Sequence, residues 1–186
     1  MIDYQRSKKE LKKAIIKIKN ESISSTDSLN RISAKSIFSK INYPSGDNAA
    51  FDGFAINSKD TLKINKNLPK KFRIIGSIAA GAKPFKKMIK KYNAVEIMTG
   101  GILPKGFDTI IPIEQIIFYP NKKKQDSILI DKEIKKHNHI RFKGSDFKKN
   151  ELVVKSNTII QSNHILAFKT LGIKDIKVKK KINILF

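Results

Sequence analysis

The pattern of apolar residues changes twice along this chain, and this change constrains the fold more than any other feature. Apolar side chains follow helical spacing near both ends, whereas from residue 44 to about 141 the apolar runs are short, β-branched and separated by Gly and Pro. Helical pieces that flank a β module indicate one domain inserted into another. The sequence therefore predicts an α+β fold, in which a discontinuous helical/β domain (1–43 and 147–181) carries an inserted all-β domain (44–146).

Local signals predict the individual elements. The first helix spans residues 4–19, with an apolar stripe of Tyr4, Leu11, Ala14, Ile15 and Ile18. Thr26 or Asp27 caps a short second helix. Strands are predicted at 72–75, 94–98, 109–113, 115–119, 127–130, 151–155 and 173–178. Ser162 or Asn163 caps the last helix, which turns Ile165, Leu166, Phe168 and Leu171 inward and ends at Gly172. Residues 182–186 have the pattern of a buried parallel strand that begins a further α/β domain.

Composition excludes several classes of site. The chain has no cysteine, so a disulfide framework, a thiol nucleophile and a Cys-ligated metal are excluded. No apolar run approaches the roughly 20 residues of a membrane span. The N-terminus lacks the apolar region of a signal peptide. We expect a cytoplasmic protein with no membrane partner.

The positive charge is a weak indicator of function. The formal net charge is +23, but only four of the 39 basic residues are arginines, and the lysines are spread along the chain. Nucleic-acid readers depend on the planar guanidinium group for bidentate contacts. The pattern favours a solvated basic surface, and we expect no nucleic-acid partner.

Lysine is nearly absent from two segments that are rich in acids. Residues 44–57 and 94–118 contain one basic residue, Lys105. They contain five acids, which are Asp47, Asp52, Glu96, Asp108 and Glu114. An ionised carboxylate in an apolar strand region needs a hydrogen-bonding turn, a metal or a ligand.

Taken singly, the loops can be interpreted either as ordinary turns or as parts of a ligand-binding site. Asp47 fits an Asx-turn and Asp52-Gly53 fits a hairpin turn. Thr99-Gly100-Gly101 fits a loop that presents backbone amides to an anion. The segment from Arg141 through Lys143 to Asp146 fits either an exposed basic strand with a turn or a site for an anion and Mg²⁺. His137 and His139 lack a nearby third ligand, so a metal site there is disfavoured.

Together, the loops resemble the MoeA/gephyrin E-domain family of molybdopterin molybdenumtransferases. The resemblance covers residue 5 to the C-terminus. Its specific motifs are Asp47-Asn48, then Asp52-Gly53-Phe54-Ala55, Ile97-Met98-Thr99-Gly100, Leu103-Pro104 with Gly106 and Asp108, and finally Arg141, Gly144 and Asp146.

The resemblance implies a function in molybdenum cofactor biosynthesis. Family members are homodimers that insert molybdate into adenylylated molybdopterin with Mg²⁺ involved, and molybdopterin adenylyltransferase is the upstream partner. It implies catalytic roles for Asp52, Thr99 and Asp146, with Asp52 and Asp146 as metal ligands. The implied cofactor-binding residues are Gly100, Gly101, Arg141 and Lys143.

The chain also departs from the family pattern. Phe51 replaces a Met before Asp-Gly, while Phe142 and Lys143 replace members of an arginine cluster. The family's following α/β molybdopterin-binding domain is lacking, so we expect this chain to be inactive alone. The alternative is a non-catalytic module of the same fold that serves dimerisation or partner docking.

Overall fold

The chain forms two compact units. The computed structural model describes residues 3–13, 17–83, 85–121 and 124–182. Contacts group Met1–Lys40 with Asn150–Phe186 as the terminal unit, and Ile41–Lys149 as the inserted unit. The sequence predicted an inserted domain at 44–146, which lies within the second of these units.

Short strands outnumber helices in the described residues. The helices are α1 (Tyr4–Lys13) and α2 (Ser162–Thr170), with 3-10 turns at Ser25–Ser28, Ser58–Thr61 and Ile113–Gln115. The strands are β1 (Asn20–Ser24), β2 (Ile37–Phe38), β3 (Asn48–Ala49), β4 (Gly53–Ile56), β5 (Lys70–Ile78), β6 (Asn93–Ile97), β7 (Thr109–Pro112), β8 (Ile117–Asn121), β9 (Lys124–Ile130), β10 (Ile140–Arg141), β11 (Leu152–Val154) and β12 (Asp175–Lys179). The architecture is thus mixed α+β, as predicted.

The terminal unit packs α2 against two small antiparallel sheets. Strand β1 pairs with β12, and β2 pairs with β11. Its core contains Val154, Ile160, Phe168, Ile176 and Val178. Gly172 has a φ of +67° directly after α2, which agrees with its predicted role as the residue that ends this helix.

Several predictions in the terminal unit are wrong. Leu166 is 69% exposed instead of facing inward, and α2 is capped at Gln161, whose backbone amide donates to His164 Nδ1. In place of a second helix, strand β1 leads into the 3-10 turn that begins at Ser25. The sequence of β1, Asn-Glu-Ser-Ile-Ser, is mostly polar, so only its pairing with β12 makes it a strand.

The described part of the first helix is shorter than predicted and buries none of its residues. Within the described residues helix α1 spans Tyr4–Lys13, and Tyr4 and Leu11 are exposed. Ile18 follows the helix instead of belonging to it. Ala14 and Ile15, which the predicted stripe includes, lie outside the described residues.

The inserted unit is built on a six-stranded sheet in the order β7-β4-β6-β5-β9-β8. Strands β5 and β6 run parallel, and the other neighbours are antiparallel. Alternate residues of β4 enter two different apolar clusters, with Phe54 and Ile56 in one and Ala55 in the other. Because side chains alternate between faces of a strand, both faces of this sheet are covered here.

Strand β4 is a central strand of this unit that the sequence analysis missed. All four of its residues are buried, and it lies between β6 and β7. Gly53 therefore starts a central strand, and the predicted hairpin turn at Asp52-Gly53 is wrong. A Cβ at Gly53 would stand 2.0 Å from the Ile111 carbonyl oxygen, so the close approach of β7 requires glycine.

Two further predictions concern features outside this core. In the ranges that the structure describes, no helix has the length and apolar character needed to cross a membrane. The predicted start of an α/β domain falls at 182–186, of which 183–186 lie outside the described residues.

Candidate functional site

The predicted site residues are arranged around one stretch of backbone, residues 47–52, which we call the central segment. On one side, Ala49 exchanges backbone hydrogen bonds with the loop at 100–101, and on the other the Ala50 amide donates to the His139 carbonyl oxygen at 2.9 Å. Strand β3 within this segment pairs with β10, which contains Arg141. The central segment therefore lies between the loop that carries Thr99 and the loop that carries Asp146.

Asp52 and Thr99 form the first pair of predicted site residues that are in contact. Thr99 donates twice to Asp52 Oδ1, from its backbone amide at 2.6 Å and from its hydroxyl at 2.7 Å. The hydroxyl bond, followed by the amide bond, lowers the pKa of the exposed Asp52 carboxyl group. Asp52 Oδ2 accepts no hydrogen bond from the residues that the structure describes, so an ionised oxygen faces solvent.

Strand pairing explains why these two residues meet although they are 47 positions apart. Asp52 immediately precedes β4, and Met98 alone separates Thr99 from the end of β6. Gly53 pairs with Ile97 in the antiparallel ladder. The start of one strand and the end of the next therefore lie side by side. The resemblance predicted both residues, but the contact depends on β4, which local patterns did not predict.

Arg141 and Asp146 form the second pair. Arg141 Nη2 donates to Asp146 Oδ2, and the Ser145 hydroxyl donates to Asp146 Oδ1 at 3.1 Å. The Asp146 amide donates to the Tyr43 carbonyl oxygen at 3.0 Å, which fixes the loop. Both carboxylate oxygens of Asp146 have protein partners in this arrangement, so the predicted metal ligation would require the pair with Arg141 to open.

Asp47 attaches the Asp146 loop to the central segment. Its Oδ1 accepts from the Lys143 amide at 2.8 Å, across 96 residues of sequence, and its carbonyl oxygen accepts from the Leu103 amide at 2.9 Å. The predicted local Asx-turn at Asp47 is therefore replaced by a long-range contact. Sequence analysis missed this role because no local signal identifies a partner so distant along the chain.

The amides of Gly100 and Gly101 are already used within the fold. Gly100 donates to the Ala49 carbonyl oxygen at 2.9 Å and Gly101 donates to the Met98 carbonyl oxygen at 2.8 Å. Both amides would have to leave these carbonyl acceptors to receive an anion, so their anion-binding role stays a prediction. A Cβ at Gly101 would stand 2.9 Å from both Ile97 Cγ1 and Met98 O, so this residue allows close packing of the loop.

Two other candidates have structural roles. Asp108 accepts from the amide and the hydroxyl of Ser58, at 2.7 and 3.0 Å, and so fixes the 3-10 turn at 58–61. His137 and His139 contact the rings of Phe142 and Phe51. Within the described ranges, no three His, Asp or Glu side chains group as a metal site would require.

The Asp52–Thr99 pair nevertheless fits a hard cation. Asp52 Oδ2 is an ionised oxygen without a described partner, and the Thr99 oxygen beside it keeps lone pairs after donating its proton. Mg²⁺ prefers oxygen ligands and is commonly held by one or two carboxylates, several waters and substrate phosphates. We therefore identify Asp52 as the residue best suited to hold Mg²⁺.

Comparison with known proteins places this arrangement in a family. Residues 2–172 match the family model described as MoeA N-terminal region (domain I and II). The chain belongs to this family. The MoeA match covers the inserted unit, most of the terminal unit and both pairs of predicted site residues.

Named relatives and solved structures agree with this assignment. Proteins called molybdopterin molybdenumtransferase are 30% identical in Staphylococcus aureus strain Mu50 and 29% identical in Staphylococcus epidermidis, over 97% of this chain. A crystal structure of the molybdopterin biosynthesis MoeA protein of Pyrococcus horikoshii is 29% identical and superposes with a TM-score of 0.83 over 95% of this chain. The chain spans 43% of the S. aureus relative and 44% of the Pyrococcus chain.

Proposed function

We propose that this chain contributes the N-terminal part of a molybdopterin molybdenumtransferase site, at which molybdate is inserted into adenylylated molybdopterin. The observation that carries the proposal is the Asp52–Thr99 pair, an exposed carboxylate with a lowered pKa. Family membership supplies the reaction class. Because the chain spans less than half of its relatives, the remaining part of the site would come from elsewhere.

The chemistry asks for charge neutralisation and positioning. Bound Mg²⁺ would neutralise phosphate charge and polarise the phosphoanhydride toward hydrolysis. Asp52 would hold the cation through Oδ2, and Thr99 would fix the carboxylate orientation through Oδ1. The low pKa keeps Asp52 ionised, and therefore able to bind a cation, throughout the neutral range.

Arg141, Lys143 and Asp146 would serve the anionic groups of the substrates. The Arg141 guanidinium offers a planar fork that suits phosphate or molybdate oxygens, and Lys143 adds a second positive charge. An anion that captured Arg141 would release an oxygen of Asp146, which is now held in the ion pair. Asp146 would then become a second carboxylate for Mg²⁺, as the resemblance implies.

Two partners belong to this proposal. The adenylylated pterin would be supplied by a molybdopterin adenylyltransferase, because the reaction consumes the product of that class of enzyme. A second copy of the chain would complete a homodimer, as the resemblance implies.

The test is molybdenum transfer by the protein expressed from its own gene, with adenylylated molybdopterin, molybdate and Mg²⁺ supplied. We expect Asp52→Asn to lower the rate at least about 100-fold, because the variant keeps an acceptor for Thr99 and loses the charge that holds the cation. Asp175→Asn, at an exposed position of β12 in the terminal unit, serves as the matched control and should retain full activity. Equal activity of the two variants would favour the non-catalytic docking module instead.

A further inference from the structure

The proposed function leaves unused a cluster in which two exposed phenylalanines contact one histidine turn. The Phe51 ring lies 5.0 Å from that of His139 at 85°, and the Phe142 ring lies 5.2 Å from that of His137 at 90°. Phe51 is 51% exposed and Phe142 is 43% exposed. Each phenylalanine therefore contacts a histidine ring and keeps about half of its surface exposed to solvent.

The backbone of the turn holds these rings in place. His137 and His139 have φ values of +67° and +57°, an uncommon conformation for side chains of this size. The His137 amide donates to the Asp108 carbonyl oxygen at 2.8 Å, and the His139 carbonyl oxygen accepts from Ala50 at 2.9 Å. Two edge-to-face contacts on such a fixed turn limit the motion of both phenylalanines.

Along the sequence, the two phenylalanines adjoin the groups already assigned to charge. Phe51 directly precedes Asp52, and Phe142 stands between Arg141 and Lys143. An aromatic ring surface next to cations suits a ligand that combines a planar ring with an anionic group, because the ring stacks while the charge is paired. A ring surface that served only apolar packing would not require neighbouring cations.

We propose that Phe51 and Phe142, positioned by His139 and His137, form a platform for the planar heteroaromatic ring of a phosphorylated ligand. The inference rests on the proposed function, whose substrate contains two such rings, adenine and pterin.

The test is calorimetric titration of the full chain, with excess Mg²⁺, using three probes. Adenosine monophosphate and a pterin carboxylate each carry a ring and an anionic group, whereas ribose 5-phosphate carries only the anion. We expect tighter binding of at least one ring probe than of ribose 5-phosphate. The ring probe that binds more tightly identifies adenine or pterin as the stacked group.

Four variants separate stacking from other effects. Loss of base–aromatic stacking weakens binding about 5- to 150-fold, so Phe51→Leu with Phe142→Leu should weaken the preferred ring probe at least about 10-fold and leave ribose 5-phosphate unchanged. Phe51→Tyr should retain the affinity for the preferred ring probe. Asparagine tolerates the positive φ at position 139, so His139→Asn should weaken binding of that probe only a few-fold, because Phe51 loses its contact with the imidazole ring. Phe38→Leu is the control, since Phe38 is 50% exposed in the terminal unit.

Two results would overturn the platform. The first is a titration in which the wild-type protein binds neither ring probe more tightly than ribose 5-phosphate. The other is an equal loss for all three probes in the double leucine variant. Neither result depends on the molybdenum-transfer assay of Asp52→Asn. The titrations can therefore reject the platform without rejecting the proposed function.

Discussion

At the scale of single residues, the two hydrogen bonds from Thr99 lower the pKa of Asp52 and fix the orientation of its carboxylate. Both are given to the same oxygen, Oδ1, which leaves Oδ2 for a cation. The resemblance identified both residues, yet the pairing could not be read locally, because it spans 47 positions. The same limit applies to Asp47, whose partner lies 96 positions away.

Substituting Thr99 should change the titration of Asp52 in a defined direction. Thr99→Val removes the hydroxyl donor but keeps the amide donor, so we expect the pKa of Asp52 to rise toward its usual range. Thr99→Ser keeps both donors and should leave the pKa of Asp52 nearly unchanged. The measurement is an NMR titration of the Asp52 carboxyl carbon, and an unchanged pKa in the valine variant would contradict this account.

The same bonds link stability to pH. Because folding lowers the pKa of Asp52, the bonds stabilise the fold at pH values above the usual aspartate range. That contribution is lost as the pH falls through the lowered pKa. Urea unfolding of wild type and Thr99→Val should therefore differ more at pH 7 than at pH 2, and a difference that grew toward acid would contradict the assignment.

At the scale of elements, sequence patterns predicted the strands with a high apolar content and missed strands that are polar or short. Runs such as β6 and β7 are apolar and β-branched, and their predicted positions agree with the structure to within one residue at each end. Strand β1 was missed because it is mostly polar, and β4 because it is short and begins with Gly53. Tertiary pairing, which no local window records, decides both strands.

Gly53 provides the sharpest prediction at this scale. A methyl group there would overlap the Ile111 carbonyl oxygen, so Gly53→Ala should lower the free energy of unfolding by about 3 kcal/mol or prevent folding. Gly46→Ala is the matched control, because its Cβ would meet Ile102 at an ordinary 3.4 Å. Chemical denaturation of both variants is the measurement, and equal stability would contradict the close packing of β4 against β7.

Helix α2 is attached to the terminal unit mainly through one side chain. Phe168 is fully buried in the cluster with Val154 and Ile176, whereas Leu166 is exposed. We expect Phe168→Ala to cost about 3–5 kcal/mol of stability, as large-to-small changes of buried aromatics do. Leu166→Ala should change the stability by less than about 0.5 kcal/mol, and a comparable loss in both variants would contradict the observed orientation of α2.

At the scale of the whole molecule, both pairs of predicted site residues belong to the inserted unit. Asp52, Thr99, Arg141 and Asp146 all lie between Ile41 and Lys149. The nested organisation was predictable from the change of apolar pattern at the two ends of the β module. The division into terminal and inserted units thus separates the helix-containing part from the part that carries the proposed chemistry.

The proposed function makes the Asp52–Thr99 pair the divalent cation site of this chain. Manganese is the direct probe, since Mn²⁺ takes the same oxygen ligands as Mg²⁺ and broadens NMR signals of nearby nuclei. With trace Mn²⁺, we predict that the amide signals of Thr99 and Gly100 broaden first in the wild-type chain and do not broaden in Asp52→Asn. Equal broadening of these signals in both proteins, or first broadening at other carboxylates, would contradict the account.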